Sequence, residues 1–141
     1  MSLPLREHLA GNLARVFRYE RRINQRCPSD DFLLHKIEKR MQKRFYGQIY
    51  ALTKDGGGVE YENQQRFHPL HGKGKPLWEF KEHDHRMYCA RLPRTAGRMD
   101  IVLFNGWIKD KNGKSEREDR EIEKAIDLYK EFLAEYPGGN I

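Results

Sequence analysis

Cysteine is scarce in this chain of 141 residues: Cys27 and Cys89 are the only two. They are too few and too far apart for a zinc module or a disulfide framework. Two buried free thiols are the expected state, with a single bridge as the alternative. Long apolar runs are missing as well. The longest wholly aliphatic and aromatic stretch, Ile101–Phe104, falls far short of a membrane span. The opening residues MSLPLREHLAG lack the apolar core of a signal peptide. No low-complexity tract appears, so disorder is expected only at the ends and in loops. Neither HExxH nor any other tight ligand spacing accompanies the six histidines. Together these absences predict a soluble, cytoplasmic protein with no metal, no cofactor and no membrane partner.

What is present is charge. Charged residues make up 34% and apolar ones 38%, so a small core must sit beneath a very polar surface. The length predicts one domain, able to bury about 68–70% of its unfolded surface. Basic residues outnumber acidic ones 27 to 21, and the net charge of +6 points to a polyanionic partner such as RNA. The excess is clustered. Lys36–Arg44 holds five cations and one acid, and Arg66–Lys75 holds three cations, two histidines and no acid.

Three regions follow from patterning. Residues 1–28 form an N-terminal arm or first strand, with 1–12 frayed; Leu13–Tyr19 fits strand and helix periodicity almost equally. Residues 29–66 are helical. Ser29 or Asp30 is placed to cap a helix whose stripe is Leu33, Leu34, Ile37, Met41, Phe45, Ile49 and Leu52. Gly56–Gly58 stops it, and Val59–Phe67 reads as a short helix or an irregular approach. Residues 67–136 carry the sheet core and a closing helix. Strands are expected at Trp78–Lys81, His85–Leu92 and Met99–Ile108, the last central and buried on both sides. Asn105-Gly106 reads as a bulge or bend, not a hairpin. Ser115 with Glu118 forms a capping box, followed by the stripe Ile122, Ala125, Ile126, Tyr129, Phe132, Leu133 and Tyr136. The predicted class is α+β: a small, mostly antiparallel sheet with helices before and after it.

RNA is cut without a metal when its 2′-hydroxyl attacks the neighbouring phosphate. That reaction needs a proton acceptor, a proton donor and cations on the phosphate. His71 and His85 are the candidates for proton transfer. Lys73 and Lys75 lie in a loop whose Gly72 and Gly74 would let backbone approach a phosphate. Arg86 would hold the phosphate through two parallel hydrogen bonds, and Lys109 and Lys111 follow the third strand. Tyr88 shares a strand face with Arg86 and is positioned to stack on a base. Trp78, Phe80, Phe104 and Trp107 are assigned to the core.

The segments LHGKGKPLWEF, HRMYCARL and IVLFNGWIKDKNGK, then a charged helix, resemble the phage-derived Gp49-like branch of the RelE/ParE superfamily, which includes the HigB toxins. The likeness spans Leu70 to Lys109 and the helix from Ser115, about half the chain. It implies a RelE-like fold and a type II toxin: an endoribonuclease acting on mRNA at the ribosome without a metal, silenced by a cognate antitoxin. By position, Arg86 matches the arginine on the scissile phosphate, Lys109 the first lysine after the last strand, and Lys73 and Lys75 the loop cations. Asp110 stands where a second lysine is usual. The alternative that the resemblance carries is non-enzymatic: a DNA gyrase inhibitor of ParE type, or an RNA-binding member that no longer cuts.

Overall fold

The computed structural model describes residues 5–10, 13–54, 61–94, 98–109 and 115–141. Six strands, β1 (Leu5–Ala10), β2 (Ala14–Tyr19), β3 (Phe67–Pro69), β4 (Trp78–Glu82), β5 (His85–Pro93) and β6 (Met99–Ile108), make one sheet. Their spatial order is β1-β2-β6-β5-β4-β3. Every pairing is antiparallel except β2 with β6. Two helices, α1 (Pro28–His35) and α2 (Lys39–Thr53), follow β2, and α3 (Ser115–Glu135) follows β6. The class is therefore α+β, as the patterning predicts.

Successive side chains on a strand point to opposite faces, and each face has its own core. Val16, Phe67, Phe80, Met87, Cys89, Ile101 and Leu103 meet Phe32 and Leu33 of α1 and Phe45, Ile49 and Leu52 of α2. Phe17, Tyr88, Ala90, Val102, Phe104 and Trp107 meet Ile122, Ala125, Leu128 and Phe132 of α3. β6 lies between β2 and β5 with Ile101 through Phe104 wholly buried, the central position expected of it. Both cysteines are free and buried.

A bulge sets which residues of β6 face α3. Met87 pairs with Gly106 and Cys89 with Leu103, so Tyr88 alone faces two residues, Phe104 and Asn105. Strict alternation would put Phe104 and Trp107 on opposite faces. The extra residue restores the parity, and both rings enter the core under α3. Gly106 then turns towards α1, where a Cβ would stand 2.3 Å from the Phe32 ring. Only glycine fits beneath that ring.

Several expectations change. The arm is not frayed throughout, because β1 pairs with β2 from Leu5 opposite Tyr19 to Ala10 opposite Arg15. Leu13–Tyr19 resolves as a strand. The single long helix is two, broken over residues 36–38, so that Phe32 and Phe45 reach the same core from separate helices. Leu34 sits off the buried stripe and is exposed. Pro28 and Cys27 begin α1, and neither Ser29 nor Asp30 caps it: Ser29 is the buried second residue of the helix, and Asp30 binds Arg18 at 2.9 Å. Pro28 has no N–H to leave unsatisfied at that position. The end of Val59–Phe67 leads into a strand that the patterning missed, β3. The glycine triplet lies outside the described residues.

Candidate functional site

Arg86 stands near the start of β5, between Lys81 on β4 and Trp107 on β6. Alternation from Tyr88 puts it on the α3 face. Its Nη1 donates to the carbonyls of His83 at 2.6 Å and His85 at 3.0 Å, which anchors the guanidinium to the turn between β4 and β5. Its Nε and Nη2 have no hydrogen-bond partner among the described residues. An edge of that shape is able to hold two phosphate oxygens in parallel.

Lys109 and Lys73 reach the same end of the same face. The Lys109 backbone N–H donates to the Asp84 carbonyl at 2.7 Å, tying the end of β6 to the same turn. Its Nζ lies 3.7 Å from Glu118, and the Lys73 Nζ lies 3.6 Å from Asp119. Glu118 and Asp119 are consecutive on the opening of α3, so both lysines converge there. Arg86 pulls the Glu79 carboxyl down while Glu118 pushes it up, which places these three charges in one neighbourhood, with Lys109 beside Glu118. The cations are thus close together but not unopposed. Exposed ion pairs of this kind contribute about 0–1 kcal/mol, so a phosphate can compete for them.

The groups best built for proton transfer are His68 and Glu79. They are register partners across β3 and β4, and His68 Nε2 lies 3.0 Å from Glu79 Oε1. The approach is off the ring's hydrogen-bonding direction, so the contact is one of charge. His68 Nδ1 is 2.9 Å from the Pro69 carbonyl, an acceptor only, so Nδ1 carries a proton. Glu79 is 6% exposed. Burial pushes its carboxyl above the ordinary range, while Arg86, His68 and Lys81 act in the opposite direction. A buried acid beside an imidazole and a guanidinium is an arrangement able to store and release a proton.

The remaining candidates separate. His71 and Lys75 are exposed at the two ends of a single 3₁₀ turn, Gly72–Gly74, and neither side chain has a partner among the described residues. Gly74 does not face a ligand: it is buried against Leu70, where a Cβ would stand 2.6 Å away. His85 lies on the other face of the sheet, its ring 6.4 Å from that of Phe32 and 6.5 Å from that of Phe45. Burial there lowers its pKa, and it cannot serve Arg86 across the sheet. Tyr88 is no stacking platform. It is fully buried, and its hydroxyl accepts the Trp107 indole N–H at 2.7 Å. Lys111 and Asp110 lie outside the described residues. Among the described residues no three His, Cys, Asp or Glu side chains gather as a metal-ligand set.

The His68–Glu79 pair was readable in principle. Phe67 and His68 alternate between the two faces of the sheet, and so do Phe80 and Glu79 on the partner strand; only the three-residue length of β3 concealed it. No protein-family model, no curated protein and no solved structure matches the chain.

Proposed function

We propose that this protein is a metal-independent endoribonuclease of the toxin type, cytoplasmic, cutting mRNA at the ribosome and restrained by a cognate antitoxin. The observation that carries the reading is the meeting of Arg86, Lys73, Lys109 and the His68–Glu79 pair at one end of the α3 face. The segments that resemble the RelE/ParE superfamily run loop, strand, strand, strand, helix. That is also the order of the Gly72–Gly74 turn, β4, β5, β6 and α3.

In this reading the 2′-hydroxyl attacks the adjacent phosphorus and its proton passes to the His68–Glu79 pair. The bond from phosphorus to the 5′-oxygen breaks, and that oxygen takes up a proton, leaving a 2′,3′-cyclic phosphate and a 5′-hydroxyl. Arg86 holds the extra negative charge on the phosphoryl oxygens, a contribution that grows as the charge develops. Lys73 and Lys109 supply local positive field, and His71 and Lys75 sit on the rim where RNA backbone would pass.

The test is purified protein added to translating ribosomes, with mRNA ends mapped by primer extension. Discrete cuts are expected, lost in Arg86→Ala and partly kept in Arg86→Lys. Cutting at the wild-type rate by Arg86→Ala overturns the assignment, as does the absence of cuts by the wild type. A second, non-enzymatic reading draws on one observation, the pairing of both lysines with acids of α3. A gyrase-inhibiting protein of this fold would need no free cations at that point, and an RNA-binding one would use them for affinity without cutting. Growth arrest with intact mRNA would favour it, and DNA damage would single out gyrase.

A further inference from the structure

β6 outruns one of its neighbours. Its pairing with β2 ends at Leu103 opposite Arg18, whereas β5 accompanies it as far as Ile108. From Gly106 to Ile108 the edge of β6 that would face β2 pairs with no strand among the described residues. α1 and α3 rise on either side of this gap and enclose a cavity of about 420 Å³ with Asn105–Ile108 as its floor.

The floor has the chemistry of a strand edge, a row of backbone donors and acceptors open to another chain. Asn105 adds to it. The residue is 8% exposed, and its Nδ2 donates to the Glu121 carbonyl at 3.1 Å and carboxylate at 3.3 Å. Its Oδ1 is buried with no donor among the described residues, an unmet acceptor that an incoming N–H would satisfy. The walls carry both signs. Arg21 is paired with Glu131 and Lys124 with Glu121. That leaves Lys36 and Arg117, and Asp31 and Asp127, as lining charges without an ion-pair partner among the described residues. Two acids in the walls repel a phosphate chain. They suit a polypeptide that carries charges of both signs.

We propose that this groove binds an extended, mixed-charge segment of a partner protein, added as a strand beside the end of β6, with a donor of that segment meeting Asn105 Oδ1. In such addition the main chain supplies affinity and the flanking side chains supply specificity. The proposal does not depend on the nuclease reading, because it uses the opposite edge of β6 from Arg86.

The test uses linear dodecapeptides selected by phage display against the folded protein, then synthesised with a fluorescent label. Binding is measured by anisotropy to the wild type, Asp127→Arg and Lys36→Glu. Each peptide is also made with single backbone N-methyl groups along its length. A strand that pairs on one side should lose at least tenfold in affinity at alternate N-methyl positions and little at those between. Each charge variant should weaken binding severalfold, and amide NMR signals of Gly106–Ile108 should shift. The proposal is overturned if no linear peptide binds above a scrambled control. It fails equally if N-methylation is tolerated everywhere, if both charge variants bind unchanged, or if an RNA oligonucleotide rather than peptide shifts the Gly106–Ile108 signals.

Discussion

Replacing Tyr88 by Phe removes one oxygen from the centre of the core under α3 and leaves the ring in place. Tyr88 is wholly buried, Trp107 is 4% exposed, and among the described residues their side-chain polar atoms meet only each other, at 2.7 Å. The variant opens no cavity of consequence, so the cost is that of a buried indole N–H deprived of its acceptor, about 1–3 kcal/mol. Unfolding entropy is about 2.1 cal/mol/K per residue, hence about 0.3 kcal/mol/K for a chain of this length. The melting temperature should therefore fall by about 3–10 °C, measured by calorimetry or circular dichroism. RNA affinity and cutting, measured well below that transition, should not change. Burial also holds the phenol far above its ordinary pKa, so Tyr88 should not contribute to the alkaline absorbance change of the folded protein. An unchanged melting temperature together with a tenfold loss of RNA binding would refute the reasoning. The ring would then be meeting a base rather than supporting Trp107.

Other outcomes follow from the same geometry. Gly106→Ala places a methyl group against the Phe32 ring and should cost about 1–3 kcal/mol in urea unfolding, with part recovered by adding Phe32→Leu. His68→Gln and Glu79→Gln should each slow cutting by about 10²–10⁴-fold while RNA binding is kept; a rate within twofold of wild type excludes the pair from chemistry. His85 has its folded pKa lowered by burial, so the folded state binds fewer protons than the unfolded one. Stability should fall as pH drops below the ordinary histidine value of about 6.5, and His85→Gln should flatten that slope. Glu79 has its pKa raised by burial. Stability should therefore fall as pH rises from the ordinary glutamate value of about 4.3 through the folded one, and Glu79→Gln should remove that loss.

The elements that the sequence announced are those whose own residues decide them. Met99–Ile108 contains four consecutive aliphatic or aromatic residues bounded by turn formers, and no local alternative competes with a central strand. The stripe from Ile122 to Tyr136 repeats every three or four residues and leads directly to α3. The elements that escaped are decided by partners. β3 is three residues long and exists because β4 offers an edge to Phe67–Pro69. β1 is held by β2, and α1 is separated from α2 by what Phe32 and Phe45 must reach.

The candidate site divides along the same line. Residue types and two-residue periodicity were enough to put Arg86 and Tyr88 on one face and Met87 and Cys89 on the other; the same parity sets His85 apart from Arg86, against its nomination for proton transfer. They were enough, too, to send Trp107 and Phe104 to the core. Sequence alone determines such parity, because a strand's pleat is a property of its own backbone. Which face holds the pocket, and whether a polar ring on it reaches solvent, depends on what is laid over that face. α3 covers Tyr88 and brings Glu118 and Asp119 to the lysines, and the short β3 delivers His68 to Glu79. Those contacts join residues far apart in the chain, and only the packed tertiary structure decides them.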